Sequence, residues 1–114
     1  MTKKTESNKI GIEGIGKLEA EIMSVIWDHN GSITVREVYE ILLKKRKIAY
    51  TTVMTVMNNL SDKKLLNQDK TTTAYVYTPA ISNIEVAISI IESVVDKLLN
   101  GSVTPLSSYF MGKK

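Results

Sequence analysis

The sequence predicts a mainly α-helical chain with one small β-hairpin: three helices, the hairpin, and then a further apolar helical region. Three observations carry this. Apolar residues recur at helical spacing in four separate stretches, Asn-Gly stop signals close two of them, and one alternating run rich in β-formers, Thr73 to Thr78, lies between the third and the fourth. The chain has 114 residues, 43% of them hydrophobic and 24% charged, which suits one domain that folds rather than a disordered chain.

Residues 1–16 hold glycine, serine and charge without a sustained period and read as a flexible leader. Met1 to Lys9 lacks the apolar stretch of a signal peptide, and no apolar run approaches the roughly 20 residues of a membrane span, so a cytoplasmic protein is expected. Leu18, Ile22, Val25 and Ile26 line one face of a first helix, which Asn30-Gly31 should stop as a left-handed pair. Ser32-Ile33 is a short extended piece. Thr34-Val35-Arg36-Glu37 is a capping box and opens a second helix, with Val35, Val38, Tyr39 and Leu42 facing inward. Its end is the basic run Lys44 to Lys47, cations at the negative pole of the helix dipole.

A third helix is expected over about Ala49 to Lys64. With Val53, Val56, Met57 and Leu60 inward, steps of 100° turn Thr51, Thr55 and Asn58 outward, with Met54 and Asn59 beside them and Thr52 on the margin. That face carries no charge before Asp62, Lys63 and Lys64. Exposed threonines are poor helix formers, so something other than helix stability favours them there. Leu65 to Gln68 and Thr73 to Thr78 form the hairpin, which Pro79 ends. Ser82-Asn83-Ile84-Glu85 is another capping box, and the helix behind it runs to about Leu99. Its apolar positions are too many for one stripe and need burial on two sides: Val86, Ile90 and Val94 toward the domain, Ile88, Ile91, Val95 and Leu98 toward a partner helix. A short last helix begins at Pro105. Three helices followed by a hairpin form the winged version of the helix-turn-helix.

Composition excludes several functions. Without cysteine and with His29 as the lone histidine, the chain has no disulfide, thiolate site or multi-histidine metal site, and it shows no nucleophile–base pair. An enzyme is not expected, nor a cofactor. Charge points elsewhere. Residues 1–43 carry five basic and seven acidic groups and residues 71–114 three of each, whereas residues 44–70 carry seven basic groups against two acidic ones. A clustered positive surface is what counterion release from nucleic-acid phosphates requires.

The segment AYTTVMTVMNNL (Ala49 to Leu60), with LEAEIMSVIW (Leu18 to Trp27), TVREVYE (Thr34 to Glu40) and AYVYTP (Ala74 to Pro79), resembles the penicillinase-repressor family of bacterial regulators, the BlaI/MecI/CopY group. The resemblance covers about Lys17 to Met111. It implies a homodimer that represses antibiotic-resistance and similar genes by binding an inverted-repeat DNA operator, with a winged-helix DNA-binding domain over 17–80. It also implies a helical dimerisation region over 81–114, shorter than in relatives. A protease pathway inactivates the best-known members by cutting the C-terminal region. Taken with the basic stretch and the wing, it gives a DNA-contacting set of Lys44, Lys45, Arg46, Lys47, Tyr50, Thr51, Thr52, Met54, Thr55, Asn58, Asn59, Lys63, Lys64, Lys70 and Tyr75. The dimerisation set is Ile84, Ile88, Ile91, Val95, Leu98 and Leu99. The cut falls at Tyr109-Phe110, where relatives have asparagine before the phenylalanine. Several relatives have arginine in place of Met54 and Asn59, and the copper branch uses a cysteine-rich tail that this chain lacks. Two alternatives stand beside repression: a winged helix that binds protein through its threonine face, and an activator of the same fold. No small-molecule ligand or membrane partner is evident.

Overall fold

The computed structural model describes residues 15–112. The expected leader lies outside the described residues, apart from Ile15 and Gly16. Helix α1 spans Lys17–Asp28, α2 Val35–Leu43 and α3 Tyr50–Asp62; β1 is Ile33–Thr34, β2 Leu66–Asp69 and β3 Val76–Pro79; α4 is Asn83–Leu98 and α5 Thr104–Met111. Both capping boxes form. Glu37 N–H donates to Thr34 Oγ1 at 3.1 Å while Thr34 N–H donates to Glu37 Oε1 at 2.9 Å, and Ser82 and Glu85 repeat the exchange at the start of α4.

The core is one cluster. Ile22, Met23 and Ile26 of α1, Val38 and Leu42 of α2, and Val53, Met57 and Leu60 of α3 are buried together with Ile33, Leu65, Leu66 and Tyr77. Leu18, Val25, Tyr39 and Val56 of the expected stripes are partly buried against this cluster, and Met23, outside the expected α1 stripe, is fully buried in it.

The sheet departs from a plain hairpin. Its order is β1-β3-β2, all antiparallel, with Ile33 opposite Tyr77 and Gln68 opposite Tyr77 on the other side. The short piece before α2 therefore makes β3 a central strand. Pairing starts only at Val76, because Thr73 to Tyr75 stay in the tip. Pro79, expected to end the hairpin, is the last residue of β3. It faces Leu66, beyond the reach of β1, and the next ladder bond runs from Ala80 N–H to Leu65 O at 3.0 Å, so its missing N–H costs no pairing.

Helix ends differ from the sequence reading at two points. After α1 only Gly31 takes a left-handed φ, of 92°, and Asn30 does not, because the C-cap His29 is extended and the reversal is completed a residue later. Helix α3 stops at Asp62 in a Schellman motif: Leu65 N–H donates to Leu60 O at 2.9 Å and Lys64 N–H to Ser61 O at 3.0 Å, with Lys64 at φ 71°. A lysine holds the left-handed position that glycine usually takes.

Helix α4 meets the domain through its first turns. Val86 is buried in the core, Ile90 packs against it, and Trp27 Nε1–H donates to Ile81 O at 2.9 Å just ahead of the helix. The outer residues Ile84, Ile88, Ile91 and Leu98 are exposed, as expected for a partner-facing edge. Val95 is not. It is 5% exposed, and the chain reverses just beyond it, where the amides of Leu99 and Gly101 both donate to its carbonyl at 3.0 Å. Leu99 is half-buried.

Candidate nucleic-acid interface

Helix α3 is held by its inner face and open on its outer one. Val53, Met57 and Leu60 are fully buried, whereas Thr51, Thr52, Met54, Thr55, Asn58 and Asn59 are all exposed. No charge lies on that outer face before Asp62. The arrangement presents hydroxyls, an amide edge and a thioether, which suit thymine methyls, base acceptors and phosphate oxygens in a major groove.

The wing closes one side of this face. Asp69 Oδ1 accepts from Thr71 N–H at 2.9 Å and Thr71 Oγ1 at 2.7 Å, an Asx turn that shapes the tip and holds the Asp69 carboxyl below the usual aspartate range. Lys70 Nζ lies 5.9 Å from the centre of the exposed Tyr75 ring, so the two tip residues singled out in the sequence stand together. Tyr77, the other alternating tyrosine, is buried. Its hydroxyl donates to Asn58 Oδ1 at 3.1 Å and accepts from Gln68 Nε2 at 2.7 Å, and Gln68 Nε2 also donates to Asn58 Oδ1 at 3.0 Å. Helix and wing are thereby tied at one point.

Between them runs a groove of about 680 Å³ whose walls include Arg36, Tyr50, Met54, Asn58 and Tyr75. Tyr50, the first residue of α3, packs edge-on against Tyr39 at 5.4 Å and carries the Arg36 guanidinium 5.4 Å from its ring centre. Arg36, which charge counting places in the acidic first third and the sequence reading did not single out, also lies 3.7 Å from Glu40, another residue of the same groove.

The basic stretch is not one surface. Lys44 and Lys47 are exposed in the turn of residues 44–49. Arg46, however, pairs with Glu21 of α1, and Lys45 lines the same α1–α2 crevice. Lys63 donates to Glu19 Oε2 at 2.7 Å. Burial pushes the Glu19 carboxyl up, but the Lys63 ammonium and the Gly16 N–H outweigh it and leave the group below the ordinary glutamate value. Arg46 and Lys63 thus already have carboxylate partners within the chain. Lys64 and Lys70 remain exposed beside α3 and on the wing.

Three helices, the second and third joined by a short basic turn, and a wing backed by β1 make a winged helix-turn-helix domain with a helical extension. The profile described as Penicillinase repressor matches residues 15–114, and the chain belongs to that family. It is similar to the Transcriptional regulator BlaI of Mycobacterium tuberculosis, 42% identical over 65 residues that cover 57% of this chain and 47% of that one. The chain therefore spans about half the length of that relative. It is 31% identical over 100 residues to the Penicillinase repressor of Bacillus licheniformis, covering 88% of this chain and 77% of that protein. Among solved structures, the DNA-binding domain of the repressor BlaI is similar with a TM-score of 0.57 and 36% identity, over 67% of this chain and 92% of that one. The Bacillus licheniformis BlaI monomeric form, solved in complex with the blaP half-operator, gives a TM-score of 0.54 and 35% identity over 65% and 89%. Among the described residues no helix is long and apolar enough to cross a membrane.

Proposed function

We propose that this chain is a sequence-specific, cytoplasmic DNA-binding repressor that occupies an inverted-repeat operator as a homodimer, one α3 per half-site. The observation that carries the reading is the exposed, uncharged outer face of α3, flanked by cations of the turn and wing tip. A solvated helix surface has no use for three threonines and a methionine in that position, whereas a base-reading surface does. The half-operator bound by the Bacillus licheniformis relative supports the same partner for this chain. Within the reading, Thr51, Thr52, Met54, Thr55, Asn58 and Asn59 face bases or the adjoining backbone, and Tyr50, Tyr75, Lys44, Lys47, Lys64 and Lys70 position the duplex. Ile84, Ile88, Ile91 and Leu98 supply the dimer edge. Relief would come by cleavage at Tyr109-Phe110, two exposed residues inside α5 whose helix must unwind to enter a protease.

A gel-shift series tests the central claim. The chain is expected to hold its own promoter DNA, or the blaP half-operator, well above scrambled duplex at the same salt. Equal affinity for both would refute sequence-specific binding.

A further inference from the structure

Asn58 is the one outward residue of α3 whose side chain is already engaged within the protein. Its Oδ1 accepts from two donors, Gln68 Nε2 at 3.0 Å and the Tyr77 hydroxyl at 3.1 Å, which uses both lone pairs. Gln68 and Tyr77 are joined to each other at 2.7 Å, so the triangle is closed. Tyr77 is 1% exposed and sits on the central strand opposite Gln68, and both partners are therefore fixed by the sheet register. With Oδ1 taken by Gln68 and Tyr77, the Nδ2 hydrogens are the part of the amide that this triangle does not use, and Asn58 lines the groove that Met54 and Tyr75 also line.

We propose that Gln68 and Tyr77 lock Asn58 so that it meets DNA only as a hydrogen-bond donor, and that the base pair beneath it is read as guanine. The inference rests on the operator-binding reading and deepens it. A free asparagine matches adenine by accepting from N6 while donating to N7. The locked one cannot accept, so that match is lost. Guanine offers two adjacent acceptors, N7 and O6, to the two hydrogens of the Nδ2 group. Adenine N7 and thymine O4 each offer a single acceptor and so only one bond, and cytosine offers only a donor and is excluded. Asn58 is then the contact, and Gln68 and Tyr77 are positioning residues that never touch DNA.

The test is selection from a randomised duplex pool, followed by binding to the four single-base variants of the position that Asn58→Ala flattens. The parent is expected to favour guanine there by on the order of tenfold. Tyr77→Phe keeps the ring in the core, and with Gln68→Leu it frees the amide. The double variant should lose that preference and gain adenine at this position alone, leaving the other positions unchanged. A merely structural role would weaken every sequence alike and would overturn the proposal. So would a parent preference for cytosine or adenine, which would mean that the amide faces DNA in the opposite sense or is not locked, or for thymine, which would mean that a single acceptor is what it reads. So too would an Asn58→Ala protein whose preferences match the parent's. A parent that selects no sequence at all refutes operator binding itself, and the lock falls with it.

Discussion

Replacing Ile88 and Ile91 together by aspartate is the most direct test of how two copies of this chain meet. Both lie on the outer edge of α4 and are about half exposed, at 48% and 49%, with Ile84 at 63% and Leu98 at 67%. Full burial of such a side chain stabilises by about 1.5–3 kcal/mol, so the part still open to water is worth about 1–2 kcal/mol each. Four of them on each of two protomers supply roughly 8–16 kcal/mol, against an association cost of about 4–15 kcal/mol. Between the midpoints of the two ranges and their most favourable ends the surplus runs from about 2.5 to about 12 kcal/mol, and a dimer with a dissociation constant near micromolar, about 8 kcal/mol, is the expected result. Two aspartates per protomer would remove about 4 kcal/mol or more of that gain and place charges in the seam, a loosening of at least about a thousandfold. Val95 is left alone, since it is buried within the protomer and its replacement would test folding instead. Sedimentation across a concentration series, with circular dichroism to confirm the fold, gives the answer. A parent that stays monomeric at high micromolar concentration refutes the dimer. A double variant that dimerises like the parent places the interface elsewhere.

The cations can be separated by salt. Lys70→Ala should lower the slope of log affinity against log salt by about one unit, whereas Lys63→Ala should leave the slope nearly unchanged because that ammonium is committed to Glu19. Lys63→Ala should instead cost stability, by no more than about 1 kcal/mol given how exposed the lysine is, and only at neutral pH. The folded Glu19 carboxyl has a depressed pKa, so its contribution is present above the unfolded glutamate value and is lost as pH falls through the folded one; thermal melts of parent and variant should converge there. Lys64→Gly should raise stability by about 1 kcal/mol by relieving the left-handed φ, while giving up about one unit of salt slope as its charge leaves the DNA side. An unchanged melting temperature would show that the lysine bears no strain.

What was legible in the residues was whatever repeats along one helix or caps its start. The 100° steps that put Val53, Met57 and Leu60 inward place Thr51, Thr55 and Asn58 outward without further information, and the two capping boxes name their own partners three residues on. The hidden features are contacts between distant segments. Asn58 meets Gln68 and Tyr77 across 10 and 19 residues, and Arg46 and Lys63 meet Glu21 and Glu19 across 25 and 44. Local patterns carry no trace of such pairs. For that reason a charge count over 44–70 overstates what α3 and its flanks can offer to phosphate. The extended piece at Ser32-Ile33 was legible, but its pairing was hidden for the same reason, since nothing local shows that Ile33 and Thr34 lie beside Tyr77 and Val76 of β3.

Operator selection by a dimer depends on how firmly each recognition helix is referred to the dimer axis. In this chain α3 is fixed on two sides, by its buried stripe and by the Asn58 bonds to the wing, so it moves with the domain. The domain in turn holds α4 through Val86, Ile90 and the Trp27 bond to Ile81, all near the start of that helix. Past Ile90 the helix departs from the core, and the edge proposed for the partner lies on both sides of that point, from Ile84 to Leu98. An interface centred near Ile84 and Ile88 would transmit the position of α3 stiffly and demand one half-site spacing. One centred on Leu98 would act through a longer lever and tolerate several. Affinity for operators whose half-sites are moved apart by single base pairs therefore reports where on α4 the two chains join, even when sedimentation gives the same dimer for both.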